Sequence, residues 1–94
     1  MTTLDQIAKR IITEQALIIG PIAWHEAKKV SGLKVVNQSD GEISIDQNLG
    51  LSIIDNLVKQ YENIFGRASR EVCKEAVAAL VADLPVGEVP TSLQ

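Results

Sequence analysis

The sequence predicts a mainly helical protein, with two helix–glycine-turn–helix hairpins forming a four-helix bundle and a short β-hairpin between them. Three observations predict it. Apolar residues recur at three- and four-residue spacing over four stretches, the period of one helical face. Single glycines, Gly20 and Gly66, stand where two pairs of these stretches meet. The apolar residues are almost all aliphatic, since Trp24, Tyr61 and Phe65 are the only aromatics in 94 residues. Such an interior suits closely packed helices better than a β-sandwich.

The first helix is expected over residues 4–19, with Leu4, Ile7, Ala8, Ile11, Ile12, Ile18 and Ile19 on one face. Thr3 followed by Gln6 reads as a capping box. Gly20 can take the positive φ that ends a helix, and Pro21 suits the first turn of the next. Helix 2 then covers 21–31, with Ile22, Ala23, Ala27 and Val30 inward. Residues 33–46 change character: two β-prone runs, Leu33 to Asn37 and Glu42 to Asp46, flank an Asp40-Gly41 turn and read as a hairpin. Helix 3 is expected over 47–65, with Leu51, Ile54, Leu57, Val58, Tyr61, Ile64 and Phe65 inward. Helix 4 follows over 68–82, with Val72, Cys73, Ala76, Val77 and Leu80 on one side. Pro85 and Pro90 forbid further helix, so residues 1–84 are read as a single domain and 85–94 as a flexible tail.

The halves also align. Residues 11–30 match 57–76 at a constant offset of 46, pairing Ile18 with Ile64, Gly20 with Gly66, Ala27 with Cys73 and Lys28 with Lys74. Either the chain contains an internal repeat, or two amphipathic hairpins joined at glycine simply share this pattern.

Charge narrows the function classes. The net charge is −3, and nine basic residues are scattered among twelve acidic ones. Binding a phosphate backbone needs clustered cations, so nucleic acid is not the expected partner. The lone Cys73 permits no intrachain disulfide and no cysteine-based zinc site, which favours a reducing, cytoplasmic compartment. The start, Met1-Thr2-Thr3-Leu4-Asp5, has no secretory pattern. No apolar run, residues 16–19 before Gly20-Pro21 included, approaches the ~20 residues of a membrane span.

Catalytic constellations are missing. His25-Glu26 opens a helical zinc motif, but the second ligand position is Lys29 and there is no other histidine. Cys73 lies on an apolar stripe, where a thiolate is disfavoured. The loop from Val36 to Gln47 lacks both anchoring carboxylates of a calcium loop, having Val36 first and Gln47 twelfth. Gly66-Arg67 offers only a helix N-terminus to an anion. Trp24 falls on the flank of helix 2 and either covers the core edge or sits in an interface, where tryptophan is enriched.

The segment Ile18-Ile19-Gly20-Pro21-Ile22-Ala23 resembles the IGP(I/M)A signature of a small helical domain found attached to bacterial signalling proteins, beside kinase or receiver modules. That resemblance implies a bacterial interaction module without catalytic residues to transfer. The sequence therefore predicts a non-enzymatic, cofactor-free and metal-free regulatory or assembly protein that binds another protein and self-associates, as a small bundle often must to gain burial. The expected surface is Trp24, His25, Lys28 and Lys29 of helix 2, with Arg67 and Arg70 of helix 4. The alternative is a small-ligand or ion sensor using the 37–46 loop or the N-terminus of helix 4.

Overall fold

The computed structural model describes residues 3–82 and 84–93. Four helices, α1 (Thr3–Ile19), α2 (Ile22–Ala27), α3 (Gly50–Phe65) and α4 (Ala68–Val81), accompany a two-stranded antiparallel sheet of β1 (Leu33–Asn37) and β2 (Glu42–Ile45). The protein is mainly helical, as its periodicity predicts. Helix α1 is central: it touches α2, α3, α4 and β2.

Its buried stripe is Ile7, Ala8, Ile11, Ile12 and Gln15. Opposite lie Ile53, Ile54, Leu57, Val58 and Tyr61 of α3, with Cys73 and Val77 of α4. Three side chains expected inside are instead exposed: Ile18, Ile22 and Ile64. In the last turns of α1 and α3, Ala16, Ile19 and Phe65 still lean on the core while Ile18 and Ile64 face solvent. Ile53, which the expected face omitted, is buried in contact range of Gly32. The capping box of Thr3 with Gln6 rests on a side chain outside the described residues.

Helix α2 is shorter than expected, ending at Ala27 rather than Ser31. The N–H groups of Lys29 and Val30 reach back only three residues, to Glu26 and Ala27 at 3.1 Å each, which tightens the last turn. Gly32, at φ +87°, then directs the chain into β1, and Val30 and Leu33 are buried on either side of it. Helix α3 starts later than expected. The Asp46 carboxylate accepts the Asn48 N–H at 3.0 Å and caps a single 3-10 turn, Gln47–Leu49, that precedes it.

The hairpin pairs Leu33 with Ile45 and Val35 with Ile43, then slips by one residue so that Asn37 meets Glu42. The slip is a bulge at Val36, which turns that side chain to solvent. Leu33, Ile43 and Ile45 face the core, and β2 lies on α1.

Residues 85–93 of the expected flexible tail, with Gln94 outside the described residues, are folded onto the helices. They form two 3-10 turns, Val86–Glu88 and Thr91–Leu93, and the second packs on α3 and α4. Pro90, Ser92 and Leu93 are buried, and the Asp55 carboxylate accepts both the N–H and the hydroxyl of Ser92, at 3.0 and 2.6 Å. Proline bars helix continuation without barring burial, and this segment uses the first property at Pro85 and the second at Pro90.

The bonding pattern recurs at the offset of 46 seen in the sequence. The Gly20 N–H donates to Ala16 at 2.9 Å and the Gly66 N–H to Glu62 at 2.8 Å. Ala23 donates to Gly20 and Ser69 to Gly66, each at 3.1 Å. Between the halves, Gln15 Nε2 donates to the Ser69 carbonyl at 3.0 Å, while Tyr61 Oη donates to the Ala23 carbonyl at 2.7 Å. Positions 15 and 61, and positions 23 and 69, are equivalent pairs.

Candidate interaction surface

Those cross-bonds fix where each helix end lies. Gln15, near the end of α1, is held at the start of α4, and Tyr61, near the end of α3, is held at the start of α2. Both glycine turns, at φ +80° for Gly20 and +91° for Gly66, therefore occupy one end of the molecule. Positive φ at both positions is the helix-ending conformation that glycine adopts without strain.

Large apolar side chains gather at this end. Leu17 is 76% exposed, Ile18 63%, Ile64 47% and Ile22 44%. Val36, at the hairpin bulge, and Leu49, before α3, are the other exposed large hydrophobics among the described residues. Single exposed leucines are ordinary, but four of six at one end are a concentration. Ile18 also borders a shallow cleft with Val72 and Ala76 of α4, flanked by Arg10, Glu14 and Glu75. Sequence reading assigned Ile18, Ile22 and Ile64 to the core; the available signal was their position within one turn of a helix-ending glycine.

The residues predicted to form the surface are divided. Trp24 is 8% exposed, and its ring lies beneath the hairpin turn, so close that a Cβ at Gly41 would stand 3.8 Å from Cη2. Of the two roles the sequence leaves open for it, the ring takes the first, covering the core edge, and its expected place among the surface contacts is corrected. Ala23 and Ala27 are buried, the large ring lies under the hairpin, and Ile22 is exposed. His25, Lys28 and Lys29 are exposed along α2 and the turn after it. Lys29 Nζ lies 3.1 Å from Glu26 Oε2. Arg67 is exposed and Arg70 half-buried, its Nε 3.3 Å from Glu62 Oε2 in an ion pair without hydrogen-bond geometry.

These cations do not form one patch. α2 is tied to Gln60 and Tyr61, whereas Arg70 is tied to Glu62, roughly 200° round α3 from Gln60 at 3.6 residues per turn. His25, Lys28 and Lys29 therefore flank one side of the apolar end, and Arg67 and Arg70 another.

Glu26 and Gln15 are among the buried polar groups that sequence reading missed. Glu26 is buried beside Trp24, accepting Gln60 Nε2 at 2.8 Å and Lys29 Nζ at 3.1 Å. The hydrogen bonds from Gln60 and Lys29 hold its carboxyl below the ordinary value of 4.5. Gln15 is buried and bridges to Ser69 and, at 3.4 Å, to Cys73 Sγ. Burial pushes the Cys73 thiol up to about 11, so at neutral pH it is a protonated core side chain.

In the 37–46 loop, Asn37 Nδ2 donates to Asp40 Oδ2 at 3.0 Å and the Asp40 N–H donates to Asn37 Oδ1 at 3.3 Å. Gly41, at φ +69°, closes this turn. At the end opposite the glycine turns a cleft of about 540 Å³ opens between Leu4, Leu49, Leu51 and Leu84, with Asn48, Ser52 and Glu88 as its polar lining. Among the described residues no group of three His, Cys, Asp or Glu side chains is placed to hold a metal ion, and no helix is long and apolar enough to cross a membrane.

The chain matches no family model, and no curated protein or solved structure is significantly similar to it.

Proposed function

We propose that this protein is a non-catalytic interaction module with a regulatory or assembly role, self-associating through the end that carries its two glycine turns. The observation that carries this reading is the concentration of Leu17, Ile18, Ile22 and Ile64 at that end. Covering apolar surface is favourable by about 25 cal/mol per Å², and a second copy of the same end supplies an equally apolar face. His25, Lys28 and Lys29 on one side, with Arg67 and Arg70 on another, form the polar rim that sets orientation. The segment resembling the signalling-domain signature, Ile18 to Ala23, is the α1–α2 turn of this same end, which fits a cytoplasmic bacterial module.

The finer architecture belongs to the same proposal. We take the two helix–glycine–helix halves as an internal repeat packed as a four-helix bundle about a two-fold axis. Support comes from the reciprocal bonds Gln15 to Ser69 and Tyr61 to Ala23, because a two-fold axis makes residue i meet j and j meet i. Gly50 and Leu4, also 46 apart, meet where α1 and α3 cross.

The test replaces Leu17 and Ile18 by Ser. Neither side chain is in the core, so helicity should be kept while self-association, and with it any concentration dependence of the melting temperature, is lost. Self-association of undiminished strength in the double variant removes this end from the account.

A further inference from the structure

The C-terminal segment makes contacts that are discrete and chemically specific, and the glycine-turn end has no part in them. Asp55, half-buried in the middle of α3, accepts two hydrogen bonds from one residue: the Ser92 N–H at 3.0 Å and the Ser92 hydroxyl at 2.6 Å. Pro90 and Leu93 on either side of that serine are buried, Leu93 within the core cluster. The 3-10 turn Thr91–Leu93 touches both α3 and α4. Between α4 and this turn, Pro85, Gly87 and Glu88 are exposed while Leu84 and Val89 lean on the core.

This is the form of a recognition site. One carboxylate reads a residue through its backbone and its side chain together, and an apolar residue on each side fixes the register. Alanine in place of serine loses the charge-assisted hydroxyl bond, and proline loses the N–H bond.

We propose that the α3–α4 face around Asp55 is a recognition site for a proline–X–serine–leucine turn, filled here in cis by residues 90–93 and able to take the same segment from a second copy of this chain. The cis segment holds the site because attachment gives it an effective concentration in the millimolar range. Exchange between copies makes the same bonds with no new surface, so it needs only that the segment be released from its own chain.

Two variants of the full chain test this by complementation, both carried in the Leu17→Ser, Ile18→Ser background so that the apolar end does not contribute. Ser92→Ala keeps the Asp55 site but weakens its own segment. Asp55→Ala keeps the Ser92 segment but has lost the site. Mixed, the two should form a heterodimer that neither forms alone, seen by sedimentation. A labelled peptide of residues 84–94 should bind the Ser92→Ala chain about tenfold or more tightly than the parent chain, the loss of one charge-assisted hydrogen bond. Adding Asp55→Ala to that chain should remove the gain, with circular dichroism unchanged. Equal peptide binding by parent and Ser92→Ala, or binding indifferent to Asp55, overturns the recognition site. Peptide binding without heterodimer formation overturns exchange between copies.

Discussion

Tyr61 and Glu26 hold α2 against α3, and each makes a contact that a single substitution removes. Tyr61→Phe deletes the hydroxyl that donates to the buried Ala23 carbonyl. Losing this hydrogen bond should destabilise the fold by about 0.5–1.5 kcal/mol, measurable by urea denaturation. Glu26 gives a pH signature. Its folded-state value lies below 4.5, the value expected of the unfolded chain, so its contribution is fully present above about pH 4.5 and fades as pH falls through the folded-state value. The stability difference between wild type and Glu26→Gln should therefore be largest near neutral pH and shrink in acid; a difference independent of pH would show that the charge on Glu26 does not stabilise the fold. Neither role was legible in the sequence. A buried glutamate is rare enough that His25-Glu26 reads as an exposed pair until Gln60, 34 residues away, is seen beside it.

At the scale of elements, the sequence was most legible where a helix is long and one-sided. The faces of α1 and α3 are correct through their middles, and Gly20, Gly66 and Asp40-Gly41 mark the turns the chain makes. Helix α2 was the hardest to read because its six residues span less than two turns. That is too few for periodicity to set rotation, and the inward place expected for Ile22 is taken by Trp24, two positions on. The C-terminal segment failed for a different reason: its packing depends on Asp55 and on a groove that exists only after α3 and α4 associate. The glycine turns permit a graded test. Gly66→Ala introduces a Cβ into open space but at φ +91° and ψ 179°, a backbone conformation essentially reserved for glycine, so it should cost about 1–3 kcal/mol from backbone strain alone. Gly32→Ala also stands at positive φ, +87°, and places a Cβ 2.6 Å from Ile53 Cδ1, so it should lower the melting temperature further. Equal losses would mean that Ile53 moves aside freely.

Taken whole, the molecule has one end where large apolar side chains face solvent and a middle where its halves exchange equivalent bonds. The sequence carried both signals, in the offset of 46 and in the apolar runs reaching each glycine, but it could not say which of those apolar residues face water. That depends on where the opposing helix begins, a property of packing and not of period. Self-association is the claim on which the functional reading stands, and sedimentation equilibrium tests it most directly. For the wild-type chain the average mass should climb from 10.2 kDa toward twice that value as concentration rises, while the Leu17→Ser, Ile18→Ser chain stays near 10.2 kDa. A wild-type mass that remains at 10.2 kDa up to about 1 mM, where even an association of about 4 kcal/mol would show, contradicts the account.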